Sequence, residues 1–191
     1  MTALVRCLLA LALLCAVPAT AADSDGEADW EMRLRVDTPF YELLADGVRV
    51  PQYAPHAAPG APELPFWSTL IELPLEGEWS VHYEQIGDST WLAAPALLAP
   101  APSAALVFDR PAELVAREDW PGLLQQTHIP DPEIYGADAF YPASPVMAGP
   151  EVTQRGRRLL PLRVFPFQYQ PRQSMLRYNP QLEVVVRVAR T

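Results

Sequence analysis

The stretch "RGRRLLPLRVFPFQYQPRQSMLRYNPQLEVVVRV", Arg155 to Val188, decides how this chain folds. Two apolar regions flank the polar turn "QPRQS". The second region ends with Leu182, Val184, Val186 and Val188 alternating, the two-residue period of a half-buried strand. This pattern predicts a hairpin. Pro161 and Pro166 cannot donate to a ladder, so the first strand is expected either at a sheet edge or bending between two sheets.

The same period recurs upstream. Met32, Leu34 and Val36 alternate with Arg33 and Arg35, and Trp79, Val81 and Tyr83 alternate with Glu78, Ser80, His82 and Glu84. Between them "FWSTLIEL" places Trp67, Thr69, Ile71 and Leu73 on one face. The link "PLEG", Pro74 to Gly77, is short enough for a second antiparallel hairpin. Helix is expected to be scarce, because 22 prolines interrupt most helix-length windows. The best short helix starts at Asp109, with Pro111 suited to its first turn and "AELVARE" behind. From Leu92 to Gly149 periodicity is weak, and long Pro-rich loops are expected. Together these features predict an all-β chain: an antiparallel β-sandwich, jelly-roll-like, with long Pro-rich loops and at most a short helix.

Residues 1–21 read as a Sec-type export signal, with Arg6 before the apolar run "CLLALALLCAV" and the small residues "ATAA" after it. The run is too short to span a bilayer, and residues 22–191 are expected to form one domain in the periplasm or outside the cell. Leu14 stands before Cys15 where a lipoprotein signal wants a small residue, which argues for plain cleavage rather than lipidation. Both cysteines lie inside the signal, so the exported chain has no disulfide, thiolate metal site or cysteine nucleophile.

All basic residues are arginine, and residues 22–191 carry thirteen of them against 23 acidic residues, a formal charge of −10. Such a balance argues against nucleic acid as a partner. From Val152 onward, eight arginines face the single carboxylate of Glu183. Two readings remain open for them: an arginine-lined outer sheet face beside acidic loops, or a docking surface for an acidic partner.

Nothing in the sequence composes a catalytic centre. No G-x-S-x-G elbow or phosphate-cradling glycine motif is present, and His56, His82 and His128 lie in separate segments. His82 and Glu84 share a strand face but supply too few ligands for zinc, and "DSDGEAD" at residues 23–29 departs from a calcium loop in its spacing. Asp131 with Glu133 is an unspecific carboxylate pair. No catalytic residue, metal or cofactor is therefore expected. Among the aromatic residues, Trp67 and Trp79 sit on apolar strand faces, whereas Trp120 and Tyr135 lie on loops where they offer stacking surfaces for a sugar.

Two blocks together resemble a known family. "PGAPELPFWSTLIELP", at Pro59 to Pro74, is similar to the leading segment of gingipain-type propeptides through Pro59, Gly60, Pro62, Leu64 and Pro65. The C-terminal block resembles that family's closing hairpin through Arg163, Val164, Pro166, Gln168, Tyr169, Pro171 and Leu176. The resemblance implies the N-terminal prodomain of a secreted caspase-like cysteine peptidase, a β-sandwich that keeps a zymogen latent and assists its folding. The chain stops at Thr191, where a peptidase domain would be expected to start, and the family's catalytic His and Cys have no counterpart in it. What carries over is a non-enzymatic role in binding a peptidase catalytic domain in trans. A loop arginine, Arg110 or Arg117, would plug an acidic specificity pocket, with Trp120 packing beside it. The alternative is a sandwich module that binds a glycan or a surface protein and has nothing to do with proteolysis.

Overall fold

The computed structural model describes residues 17–18, 29–94, 97–106 and 124–189. In chain order its strands begin with Val17–Pro18 (β1), Trp30–Asp37 (β2), Glu42–Leu43 (β3), Val48–Arg49 (β4), Ala54–His56 (β5), Leu64–Leu73 (β6), Glu78–Gln85 (β7) and Thr90–Ala93 (β8). Ser103–Leu106 (β9), Leu124–Thr127 (β10), one helical turn at Pro132–Tyr135 (α1), Val146–Ala148 (β11) and Val152–Gln154 (β12) follow. The chain closes with Arg157–Val164 (β13), Phe167–Gln170 (β14), Met175–Tyr178 (β15) and Gln181–Ala189 (β16). All described pairings are antiparallel, and the architecture is the expected all-β sandwich.

One sheet runs β1-β11-β13-β6-β5, with β12 continuing β11 along β13; the other runs β2-β16-β7. Alternation decides what lies between them. Ile71 and Leu73 of β6 and Leu160, Leu162 and Val164 of β13 meet Leu182, Val184, Val186 and Val188 of β16, with Val36 and Val81 from the flanking strands. Burying each such side chain contributes roughly 1.5–3 kcal/mol, which is what holds two amphipathic sheets face to face. On the outer face of the second sheet, Glu31 accepts from both Arg33 and Arg187, and Arg33 also reaches Glu183. That ladder supports, for Arg187, the outer sheet face of the first reading, but its acids Glu31 and Glu183 stand on β2 and β16 rather than on loops.

The "PLEG" hairpin does not form. β6 pairs with β13 and β5, whereas β7 pairs with β16, so Pro74 to Gly77 crosses from one sheet to the other. Link length alone does not distinguish a hairpin from a sandwich corner; each strand has one apolar face, and crossing lets the two faces bury against each other. Arg158 of β13 fixes this corner. Its Nε and Nη2 donate to the two carboxylate oxygens of Glu151, each at 2.8 Å, while Nη1 donates to Pro74 O at 2.8 Å and Nη2 to Gly77 O at 3.1 Å.

The Arg158 hydrogen bonds hold the Glu151 carboxyl below its ordinary value. A lowered folded-state value adds stability above the unfolded value, and that stability is lost as pH falls through the folded one. Arg158→Ala is expected to lose about 2 kcal/mol at neutral pH. Denaturant titrations at pH 7 and pH 3 should show the gap between variant and wild type narrowing at the lower pH.

The C-terminal hairpin is only partly as expected. β14 and β15 pair around "QPRQS", but β13 and β16 part into opposite sheets, pivoting at Phe165–Pro166 and Asn179–Pro180. Asn179 N donates to Pro166 O at 2.8 Å and ties the two pivots. Of the two alternatives for the first strand, bending is the one observed, and β13 lies inside its sheet. Pro161 is tolerated there because its carbonyl accepts from Gly149 N, so its nitrogen faces the break between β11 and β12.

β1 lies within residues 1–21, read above as an export signal, and pairs with β11 at Ala148 and Met147. Beside that pairing, the hydroxyl of Ser144 already bonds both the N–H and the C=O of Val146.

A second core forms where β8, β15 and β14 make a three-stranded sheet. Val50, Leu64, Leu98, Phe165, Phe167, Tyr169, Leu176 and Tyr178 are buried in it, with the Phe167 and Tyr178 rings stacked at 4.8 Å. The region from Leu92 to Gly149 is more structured than the expected long loops. It contains β9 paired with β10, the turn α1, and β11. Apolar periodicity gives no warning of these elements, since neither "SAAL" nor "LQQT" alternates apolar with polar residues. The helix expected at Asp109 lies outside the described residues.

Candidate partner-binding site

Arg110, Arg117 and Trp120 fall in residues 107–123, outside the described residues. The structure does describe the stand on either side of that segment. β9 and β10 pair from Ser103↔Thr127 to Leu106↔Leu124, so the chain leaves and returns at adjacent points on one two-stranded ribbon.

The base of the ribbon is clamped by the "PGAP" turn. Gly60 N donates to Ala101 O at 2.9 Å, Ala101 N donates to Ala61 O at 2.8 Å, and Asp131 N donates to Gly60 O at 2.9 Å. Gly60 thus bonds the chain just before β9 and just after β10. It adopts φ +83°, and a Cβ there would lie 3.0 Å from Ile129 O and 3.2 Å from Asp131 N. Glycine suits both this backbone and this approach, since any side chain there would be strained and crowd the Ile129 carbonyl. His128 Nδ1 lies 3.1 Å from Pro100 O and adds a further tie across the base. The stiff approach from Pro51 to Pro65 therefore does more than lead into β6: it docks the ribbon.

Several sequence candidates have structural roles. Asp131 caps α1, its Oδ1 accepting from Glu133 N at 2.8 Å. Tyr135 donates its hydroxyl to Leu98 O at 2.7 Å and packs against the second core, and burial pushes its pKa up. It is an anchor, not an open stacking surface. His82 Nε2 lies 3.2 Å from Ser80 Oγ, and among the described residues no group of His, Cys, Asp or Glu is placed to hold a metal. Trp67 and Trp79 pack against the first core as expected. Residues 23–28 of the acidic stretch are outside the described residues.

Sequence reasoning missed a polar network behind β14. Gln168 is fully buried. Its Nε2 donates to Pro142 O at 2.8 Å and Ala143 O at 3.3 Å, and its Oε1 accepts from Arg177 Nε at 3.0 Å, from Arg177 Nη2, and from Asn179 Nδ2 at 3.4 Å. The signal was available: a hairpin turning at "QPRQS" places Gln168 opposite Arg177. No helix of the described residues is long and apolar enough to cross a membrane.

No protein-family model matches the chain, and no curated protein sequence matches it. Solved structures do. The complex of the Porphyromonas gingivalis RgpB pro- and mature domains provides a chain with a TM-score of 0.58 and 17% identity, covering 83% of this chain and 79% of that one. A structure addressing the zymogenic latency of gingipain K from Porphyromonas gingivalis gives a TM-score of 0.56 and 15% identity, covering 85% of this chain and 100% of that one. The chain carries the fold of a gingipain-type prodomain.

Proposed function

We propose that this protein is an exported, non-enzymatic partner of a caspase-like cysteine peptidase, which it inhibits or helps to fold through residues 107–123. The observation that carries the reading is the ribbon. A segment with two arginines and a tryptophan is delivered from a two-stranded stem whose base is hydrogen-bonded to the rigid "PGAP" turn. Holding the two ends of a binding segment together lowers the ordering cost of binding. The fold adds support, since one similar structure pairs a pro-domain with a mature domain and the other concerns zymogenic latency.

In this reading Arg110 or Arg117 enters an acidic specificity pocket as a bidentate cation, and Trp120 packs at the rim. The test mixes the purified protein with exported arginine-selective cysteine peptidases and measures inhibition constants and refolding yields. Arg110→Ala or Arg117→Ala is expected to weaken inhibition at least tenfold. An unchanged constant for both variants sinks the plug, and no effect of the wild-type protein on activity or refolding sinks the wider reading.

A further inference from the structure

We propose that the outer face of the β8-β15-β14 sheet is a binding site for acidic sugars, in which a pyranose ring stacks on Trp91 and its carboxylate accepts from Arg177. Register puts the groups together. Leu92, Leu176 and Tyr169 point into the second core, so the alternate row Trp91, Arg177 and Gln168 lies on the opposite face. Trp91 is 52% exposed, on a strand that among the described residues pairs on one side only. Its ring lies 5.6 Å from that of Phe140, and the guanidinium carbon of Arg177 sits 4.3 Å from the Phe140 centroid.

This shelf is built rather than incidental. Nε and Nη2 of Arg177 are held by the buried Gln168, which is anchored to the carbonyls of Pro142 and Ala143. The cation is fixed against the ring, and Nη1 makes no hydrogen bond among the described residues. The surround is polar: Gln170 and Gln173 both donate to Asp138 Oδ1. A flat π surface beside a fixed donor and a polar rim suits a ligand with a C–H face and an oxygen-rich edge, which is the chemistry of a pyranose. The free donor on a guanidinium selects a carboxylate on that ring. This inference does not depend on the proposed peptidase partner, because it uses none of residues 107–123.

Isothermal titration of the full chain with oligomers of galacturonate, glucuronate and mannuronate tests it, each compared with its neutral methyl ester. At least one acidic oligomer should bind, at least tenfold tighter than its ester, and weaken as salt rises from 0.05 to 0.5 M. Trp91→Ala should lose at least tenfold in affinity with an unchanged melting temperature, and Trp91→Phe should keep part of it. Failure of all three acids to bind, equal affinity for acid and ester, or unchanged affinity in Trp91→Ala would overturn the proposal, as would binding only of protein ligands at this face.

Discussion

Replacing Gln168 by alanine is expected to cost about 3–4 kcal/mol of folding stability, because its buried amide satisfies several groups that have no other partner among the described residues. The substitution leaves the carbonyls of Pro142 and Ala143 without the Nε2 donor. It also leaves Nε and Nη2 of Arg177 without Oε1 while that guanidinium remains packed over Phe140. A donor to a neutral amide contributes about 1 kcal/mol, and hydrogen bonds from a charged group roughly 1.5–3 kcal/mol. Water entering the vacated space recovers part of this, which is why the expected total is less than the sum. Urea unfolding should show a lowered midpoint with an unchanged slope. A midpoint within error of wild type would mean that Gln168 is replaceable by solvent. The double variant Gln168→Ala with Arg177→Ala should cost less than the two single losses added together, since the orphaned guanidinium is then absent.

That network also shows where sequence reading stops. The period-two faces of β2, β6, β7 and β16 were legible because each strand buries one side, and Ile71, Leu73, Val184 and Val186 lie where alternation put them. The sandwich followed from those faces. Connectivity was less legible, because a four-residue link reads as a hairpin until the partner of β7 is known to be β16. The same physics explains the split at Pro166 and Pro180: proline marks the place where a strand leaves a ladder, but not which sheet receives it. Short elements such as β9 and β10 were invisible, as "SAAL" and "LQQT" carry no alternating apolar period. For the candidate site, "PGAP" was legible as a stiff turn; that Gly60 bonds both sides of the ribbon depends on contacts with Ala101 and Asp131, 41 and 71 residues further on. The Trp91 shelf was missed for a related reason. Trp91, Phe140 and Arg177 are remote in sequence, and only the pairing of β8 with β15 and the hairpin register bring them together.

Gly77→Ala is expected to destabilise the sandwich by about 3–5 kcal/mol, since it adds backbone strain to a steric overlap that cannot relax cheaply. Gly77 ends the crossover at φ +103°, a conformation L-residues rarely adopt. A Cβ built there would stand 2.6 Å from Val188 Cγ1 and 2.7 Å from Ala189 O. The first contact belongs to a side chain that is 1% exposed in the core, and the second to the backbone of the central strand β16, so neither can swing into solvent. Relief would require lifting the end of β7 from β16 or shifting the corner that Arg158 holds through Gly77 O. Each kcal/mol lowers the melting temperature of a domain of this size by roughly 2–4 °C, so a drop of about 10 °C is expected in a thermal scan. Gly47→Ala provides the control, because a Cβ at Gly47 meets nothing within 4 Å and its φ is not in the positive region. It should melt within about 2 °C of wild type. Equal melting temperatures for the two variants would show that the crossover yields, and that the separation of β6 and β7 into opposite sheets is not enforced at Gly77.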